Sequence, residues 1–253
     1  MPRIVRLSGI ALAGFAPAAG LYLGSVWGHQ NAVMVAFMAL TALALSVGWP
    51  ALTGVPEPAT ARLVLALTSL ITIVLAAAWQ GTNVAVLVAL GLGFPAVFVR
   101  ELARPAPRPD LVRSVAATSC GVMAAAVCGL WVSAAQLPYF RDLAIIAGAG
   151  VCAACVALGL GMIRQLASRP EISAVVGVVL AGLAGAGLSV VVGTSWWAGL
   201  AVAAACAVAP GAIWLVGQTH SVFAGRLRLR DAALLALPLA VAAVPVWAAQ
   251  LMR

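Results

Sequence analysis

Two cysteines three residues apart, Cys152 and Cys155, lie in GVCAACVALGLGMIRQ (150–165), and thiols at that spacing could bind a metal or cycle through a disulfide. On a helix, positions three apart share a face. Zinc, however, needs about four ligands. The other cysteines, Cys120 and Cys128 in one apolar run and Cys206 in another, have no His or carboxylate at their depth. A redox pair also needs an accessible partner and a thiolate, which apolar surroundings disfavour. Cys152 and Cys155 therefore read as small residues at a helix contact, with Gly148, Gly150, Ala153, Ala154, Gly159 and Gly161. GVVLAGLAGAGLSVVVG (177–193) carries Gly177, Gly182, Ala184 and Gly187 in the same manner, so these two helices are expected to approach closely through van der Waals contact.

Other chemistry is sparse. The 6 acids are Glu57, Glu101, Asp110, Asp142, Glu171 and Asp231, and each is expected in a loop or at the end of an apolar run. Ion-coupled pumps and transporters usually carry an ionisable group at mid-membrane, and none is expected here. His29 and His220 fall on opposite faces of the expected topology and cannot share a metal. There is no GxxxxGK[ST] loop for a nucleotide phosphate. His220 and Asp231 share a face but lack a nucleophile elbow.

The elements that would position these residues are membrane helices. Of 253 residues 64% are hydrophobic and 8% charged, far below the roughly 25% charged of soluble domains. Taking about 20 apolar residues per crossing, the sequence divides into nine spans near 7–27, 32–53, 62–79, 83–100, 113–135, 143–163, 172–192, 196–216 and 232–250. The third and fourth are short, so eight or ten crossings result if one is re-entrant. The N-terminal MPRIVRLSGIALAGFAPAAG also has the features of a cleaved signal peptide, but its apolar run continues to Trp27, long enough to span.

All 14 basic residues are Arg, and the net charge is +8. With the N-terminus cytoplasmic, Arg3, Arg6, Arg62, Arg100, Arg104, Arg108, Arg113, Arg164, Arg169, Arg226, Arg228 and Arg230 lie inside, and only Arg141 and Arg253 outside. That asymmetry follows the positive-inside rule. The outer loops HQN (29–31), QGTN (80–83) and GTS (193–195) are flanked by Trp27, Trp79, Trp196 and Trp197, placed as interfacial anchors. VRELARPAPRPDLVR (99–113) is the longest loop, and its three prolines forbid a continuous helix. A faint repeat, GWPALTG (48–54), GFPAVFV (93–99) and VAPGAIW (208–214), places a proline near the inner end of even-numbered spans, and inverted or parallel repeats of that sort mark some transporters.

From RLRDAALLALP (228–238) the chain resembles the integral-membrane phosphatidate cytidylyltransferase (CDP-diacylglycerol synthase) family, over residues 85–250. The family motif reads roughly D-R-x-D-S-L-L-x-A-x-P; Asp231 falls on its second acid and Pro238 on its proline, while Arg228 replaces the first acid and the arginine shifts to Arg230. In place of S-P-K-K-T-W-E-G stands SRPEISAVVG (168–177), and Cys155 stands where the family has an intramembrane Asp. The resemblance implies Mg²⁺ held by acids beside nucleotide and lipid phosphates. With Asp231 alone remaining, it implies a degenerate relative with a vestigial site.

The sequence thus predicts an all-α polytopic transmembrane bundle of nine spans, N-terminus in and C-terminus out. It is expected to form a single integral domain over 1–253, with basic cytoplasmic loops at 99–113 and 217–231, in the plasma membrane of a bacterium. The expected function is non-catalytic, with Arg100, Arg104, Arg108, Arg226, Arg228 and Arg230 meeting anionic headgroups or another membrane protein, and without metal, cofactor or nucleic acid. Two alternatives stand: a permease for a neutral or lipidic substrate, and a degenerate cytidylyltransferase-like protein.

Overall fold

A computed structural model describes residues 30–79, 84–108, 110–136, 170–219 and 229–251, with a few helical positions between 142 and 153. Among the described residues every regular element is α-helical: α1 (Gln30–Thr53), α2 (Pro58–Ala78), α3 (Val84–Ala103), α4 (Leu111–Ala134), α5 (Pro170–Val192), α6 (Trp196–Thr219) and α7 (Leu229–Leu251). Each falls on an expected span, with ends shifted by up to four residues. The first expected span, 7–27, and most of the sixth lie outside the described residues. Among the described residues four helices, taken over Met34–Thr53, Pro58–Ala78, Val84–Ala103 and Leu111–Ala134, are long and apolar enough to cross a membrane. α2 and α3, the segments that looked short, hold 21 and 20 residues; at 1.5 Å per residue each extends about 30 Å, the thickness of a hydrocarbon layer.

The chain divides into two compact units, residues 34–136 with 226–240, and residues 1–33 and 137–225 with 241–253. In the first, α2, α3 and α4 pack against one another. Val64, Val97 and Val122, one from each helix, meet in a buried cluster. α1 is stapled to α4 by the indole Nε1 of Trp49, which donates to Ala117 O at 2.8 Å. Small residues let the backbones close: a Cβ on Gly129 would collide with the Thr72 side chain, and one on Gly93 would lie 2.7 Å from Val122 Cγ1.

The distribution of side chains on α2 is that of a helix in lipid. Leu63, Leu67, Leu70 and Val74 are exposed along one stripe, while Thr68, Ser69 and Thr72 are buried on the other. Water would reverse that arrangement; hydrocarbon favours it, because each hydroxyl satisfies itself on its own helix. Thr68 donates to Val64 O at 2.8 Å, Ser69 to Leu65 O at 2.8 Å and Thr72 to Thr68 O at 2.7 Å.

In the second unit α5 packs on α6. Gly185 faces Gly199 so closely that a Cβ on either would strike the other's carbonyl oxygen, and Gly187 has nothing near it. Among the described residues, the small-residue face expected at Gly177, Gly182, Ala184 and Gly187 therefore makes its tightest contact through Gly185, and with α6. From the sixth expected span, Ala153 packs against the Ala181–Ala207 cluster, and Gly150 approaches Ala203.

Candidate functional site

α3 does not stop at the first charge. It continues through Arg100 and Glu101 to Ala103, and ends where Arg104 precedes Pro105, a position that disfavours helical backbone. The expectation that 99–113 is loop throughout is corrected on this point: its first five residues are helix, and 104–110 make the connection to α4. Continuing the helix turns Arg100, Glu101 and Arg104 into the bundle, where they are 7%, 2% and 6% exposed. A charged pair inside a span is tolerable only when neighbours satisfy it.

They do so thoroughly. Glu101 Oε1 accepts from Arg100 Nη1 and from Ser114 Oγ, both at 2.5 Å, and Oε2 accepts from Arg104 Nη1 at 2.6 Å. Arg100 then uses every nitrogen it has. Its Nε donates to Thr60 Oγ1 at 2.9 Å, and its Nη1 also reaches Thr118 Oγ1 at 3.2 Å. Its Nη2 donates to Pro56 O at 2.6 Å and Glu57 O at 3.3 Å. One guanidinium thereby joins the α1–α2 turn, the first turn of α2, the end of α3 and the start of α4.

The backbone is shaped to meet it. Gly54, at φ +66°, closes α1 by letting its own N–H and that of Val55 return to Pro50 O at 3.1 and 3.3 Å. Glu57 and Asp110, the N-caps of α2 and α4, both take left-handed conformations, at φ 52° and 57°, and neither side chain caps its helix. A non-glycine residue there costs of order 1 kcal/mol. At Glu57 the return is a carbonyl that accepts from Arg100 and from Thr60 Oγ1.

Of the arginines expected to face lipid or a partner, Arg100 and Arg104 are turned inward. Arg108 is exposed and folds back over the end of α3, its Nε donating to Arg104 O at 2.8 Å and its Nη2 to Leu102 O at 2.7 Å. Arg230 and Asp231 lie in the first turn of α7, whereas Arg226 and Arg228 lie outside the described residues. So do Cys152, Cys155, His29 and His220. Among the described cysteines, Cys128 and Cys206 are buried and Cys120 is exposed, all unpaired. No group of three or more His, Cys, Asp or Glu that could hold a metal occurs among the described residues.

Chemically the arrangement is an ion-pair lock with a surplus cation: two guanidinium groups against one carboxylate whose oxygens are both taken. Glu101, Ser114, Thr118 and Thr60 were not singled out from sequence. The available signal was R-E-x-x-R at 100–104, which puts Glu101 and Arg104 on one helical face, followed by Ser114 and Thr118 four apart. Comparison with family models, with curated proteins and with solved structures gives no match.

Proposed function

We propose that the chain is a non-catalytic multi-pass protein of the bacterial plasma membrane, of nine spans with the N-terminus inside, whose arginine-rich cytoplasmic face binds anionic headgroups. The observation that supports it is the lipid-type burial of the α1–α4 unit, apolar outside and hydroxyl-lined within, with five arginines, Arg62, Arg100, Arg104, Arg108 and Arg113, at the helix ends that meet around Glu101. Saturation of Glu101 also supports a non-catalytic reading, because a carboxylate that accepts from two arginines and a serine is a poor proton carrier.

Reconstitution tests this. The full chain in vesicles containing phosphatidylglycerol should enrich that lipid around itself relative to phosphatidylcholine, and Arg226, Arg228 and Arg230 changed together to Gln should reduce the enrichment, increasingly so at low salt. Uncoupled flux of a neutral solute through the same vesicles would replace this reading with the permease. Product from CTP, Mg²⁺ and phosphatidate, abolished by Asp231→Asn, would replace it with the cytidylyltransferase-like enzyme.

A further inference from the structure

Arg104 differs from Arg100 in what it leaves unused. It is 6% exposed, yet among the described residues the one hydrogen bond of its guanidinium runs from Nη1 to Glu101 Oε2. Nε and Nη2, the side edge of the guanidinium, have no acceptor among the described residues. Neither is sealed off: the one side-chain nitrogen or oxygen both shut from solvent and unpartnered among the described residues is Arg62 Nε. A guanidinium edge with two parallel N–H donors matches two oxygens of a phosphate group.

The electrostatics agree. Arg100 and Arg104 carry two positive charges and Glu101 one negative, so the three buried side chains together keep a positive charge, offset in part by the Glu57 carboxylate that acts on Arg100. Surroundings of low dielectric constant magnify the attraction of that charge for an anion. Arg108 lies beside it, its Nε on Arg104 O. Phe98, Val99 and Leu102, on the last turns of α3, are exposed, as residues against acyl chains would be.

We infer that Arg104, through Nε and Nη2 and with Arg108 alongside, forms a discrete phosphate-binding site, taking the phosphodiester of an anionic lipid headgroup or a free phosphate. The site rests on the lipid-binding reading above and sharpens it from a charged face to one guanidinium. Arg100 holds the helices in place, and Arg104 binds the ligand.

The test uses the full chain in nanodiscs of equal parts phosphatidylcholine and phosphatidylglycerol, released and weighed by native mass spectrometry. In parallel, protein in phosphatidylcholine alone is melted with and without millimolar inorganic phosphate at constant ionic strength. Arg104→Lys keeps the charge and the Glu101 pair but loses the fork, and retention of phosphatidylglycerol should fall about tenfold. The triple change of Arg226, Arg228 and Arg230 to Gln should lower that retention less than Arg104→Lys does. A phosphate-induced rise in Tm that Arg104→Lys removes assigns the site to free phosphate, and retention without that rise assigns it to the lipid.

Phosphatidylglycerol retention that Arg104→Lys leaves undiminished, with no Arg104-dependent effect of phosphate, overturns the site while the lipid-facing reading stands. Absence of any enrichment in the wild type overturns that wider reading, and the phosphate arm alone then decides the site. If Arg104→Lys does not fold, photo-crosslinking of the wild type with a headgroup-reactive phosphatidylglycerol serves instead. Adducts must map to residues 104–110, and adducts elsewhere alone overturn the site.

Discussion

At the scale of single residues the arithmetic of buried charge decides what the Arg100–Glu101–Arg104 cluster does. Desolvating three charges is expensive, and their attraction roughly cancels the cost, so such clusters add little net stability. Removing one member is different, because it leaves an uncompensated charge behind. Glu101→Gln would put an amide NH₂ against one of two buried guanidiniums, and should destabilise the fold by about 3–5 kcal/mol, measured by detergent-titrated unfolding of the purified protein. Ser114→Ala removes one of the two bonds to Oε1 and a longer contact with Arg100 Nη1 and should cost about 1–3 kcal/mol. Equal, near-zero effects for both would mean the cluster does not exist as described. Sequence alone did not reach this cluster. It placed charges by the rule that spans end where charge begins, and that rule fails wherever neighbours supply partners; Thr60, Ser114 and Thr118, on two other helices, were such partners.

Helices are the scale at which the sequence was most legible. Apolar runs of about 20 residues, broken by Arg, Pro and short polar turns, located α1 to α7 because length and hydropathy are local properties. Which small residues touch was not legible, since it depends on the rotation of each helix about its axis. Gly187 was expected at a contact and has open space, while Gly185, two positions earlier, faces Gly199. The same geometry separates two substitutions within one helix pair. Gly129→Leu places a side chain where Thr72 already sits and should destabilise by about 1–3 kcal/mol or displace α4 from α2. Thr72→Val keeps the shape and removes a hydroxyl that bonds only to Thr68 O on its own helix, so its effect should stay below about 1 kcal/mol. Unfolding both variants under the same detergent conditions checks the contrast; a larger loss from Thr72→Val would reassign the α2–α4 seam from packing to a polar function.

Topology belongs to the molecule as a whole, and here hydrogen bonds supply a check that charge counting does not. Arg100, at the end of α3, bonds to Pro56 O and Glu57 O in the turn before α2 and to Thr118 at the start of α4, so the α1–α2 turn and the α3–α4 loop occupy one end of their unit. At the other end Gln136 Nε2, just past α4, donates to Ala76 O near the end of α2 at 3.1 Å. Four helices of membrane-crossing length arranged this way alternate in direction, and on the proposed multi-pass reading α2 and α3 together make an even number of crossings between the two connections at the Arg100 end. On the orientation proposed above, that end faces the cytoplasm, an expectation that rests on a separate principle, the cost of translocating cations. In a background with the five native cysteines changed to Ala, single cysteines at Gly54 and Arg108 should react with a membrane-impermeant maleimide only in inverted vesicles. A cysteine at Trp79 should react only in intact cells. Opposite labelling of all three would reverse the orientation and leave the hydrogen-bonded unit unchanged, whereas Gly54 and Arg108 labelling from different sides would contradict the Arg100 bonds themselves. The two lines of argument therefore fail separately.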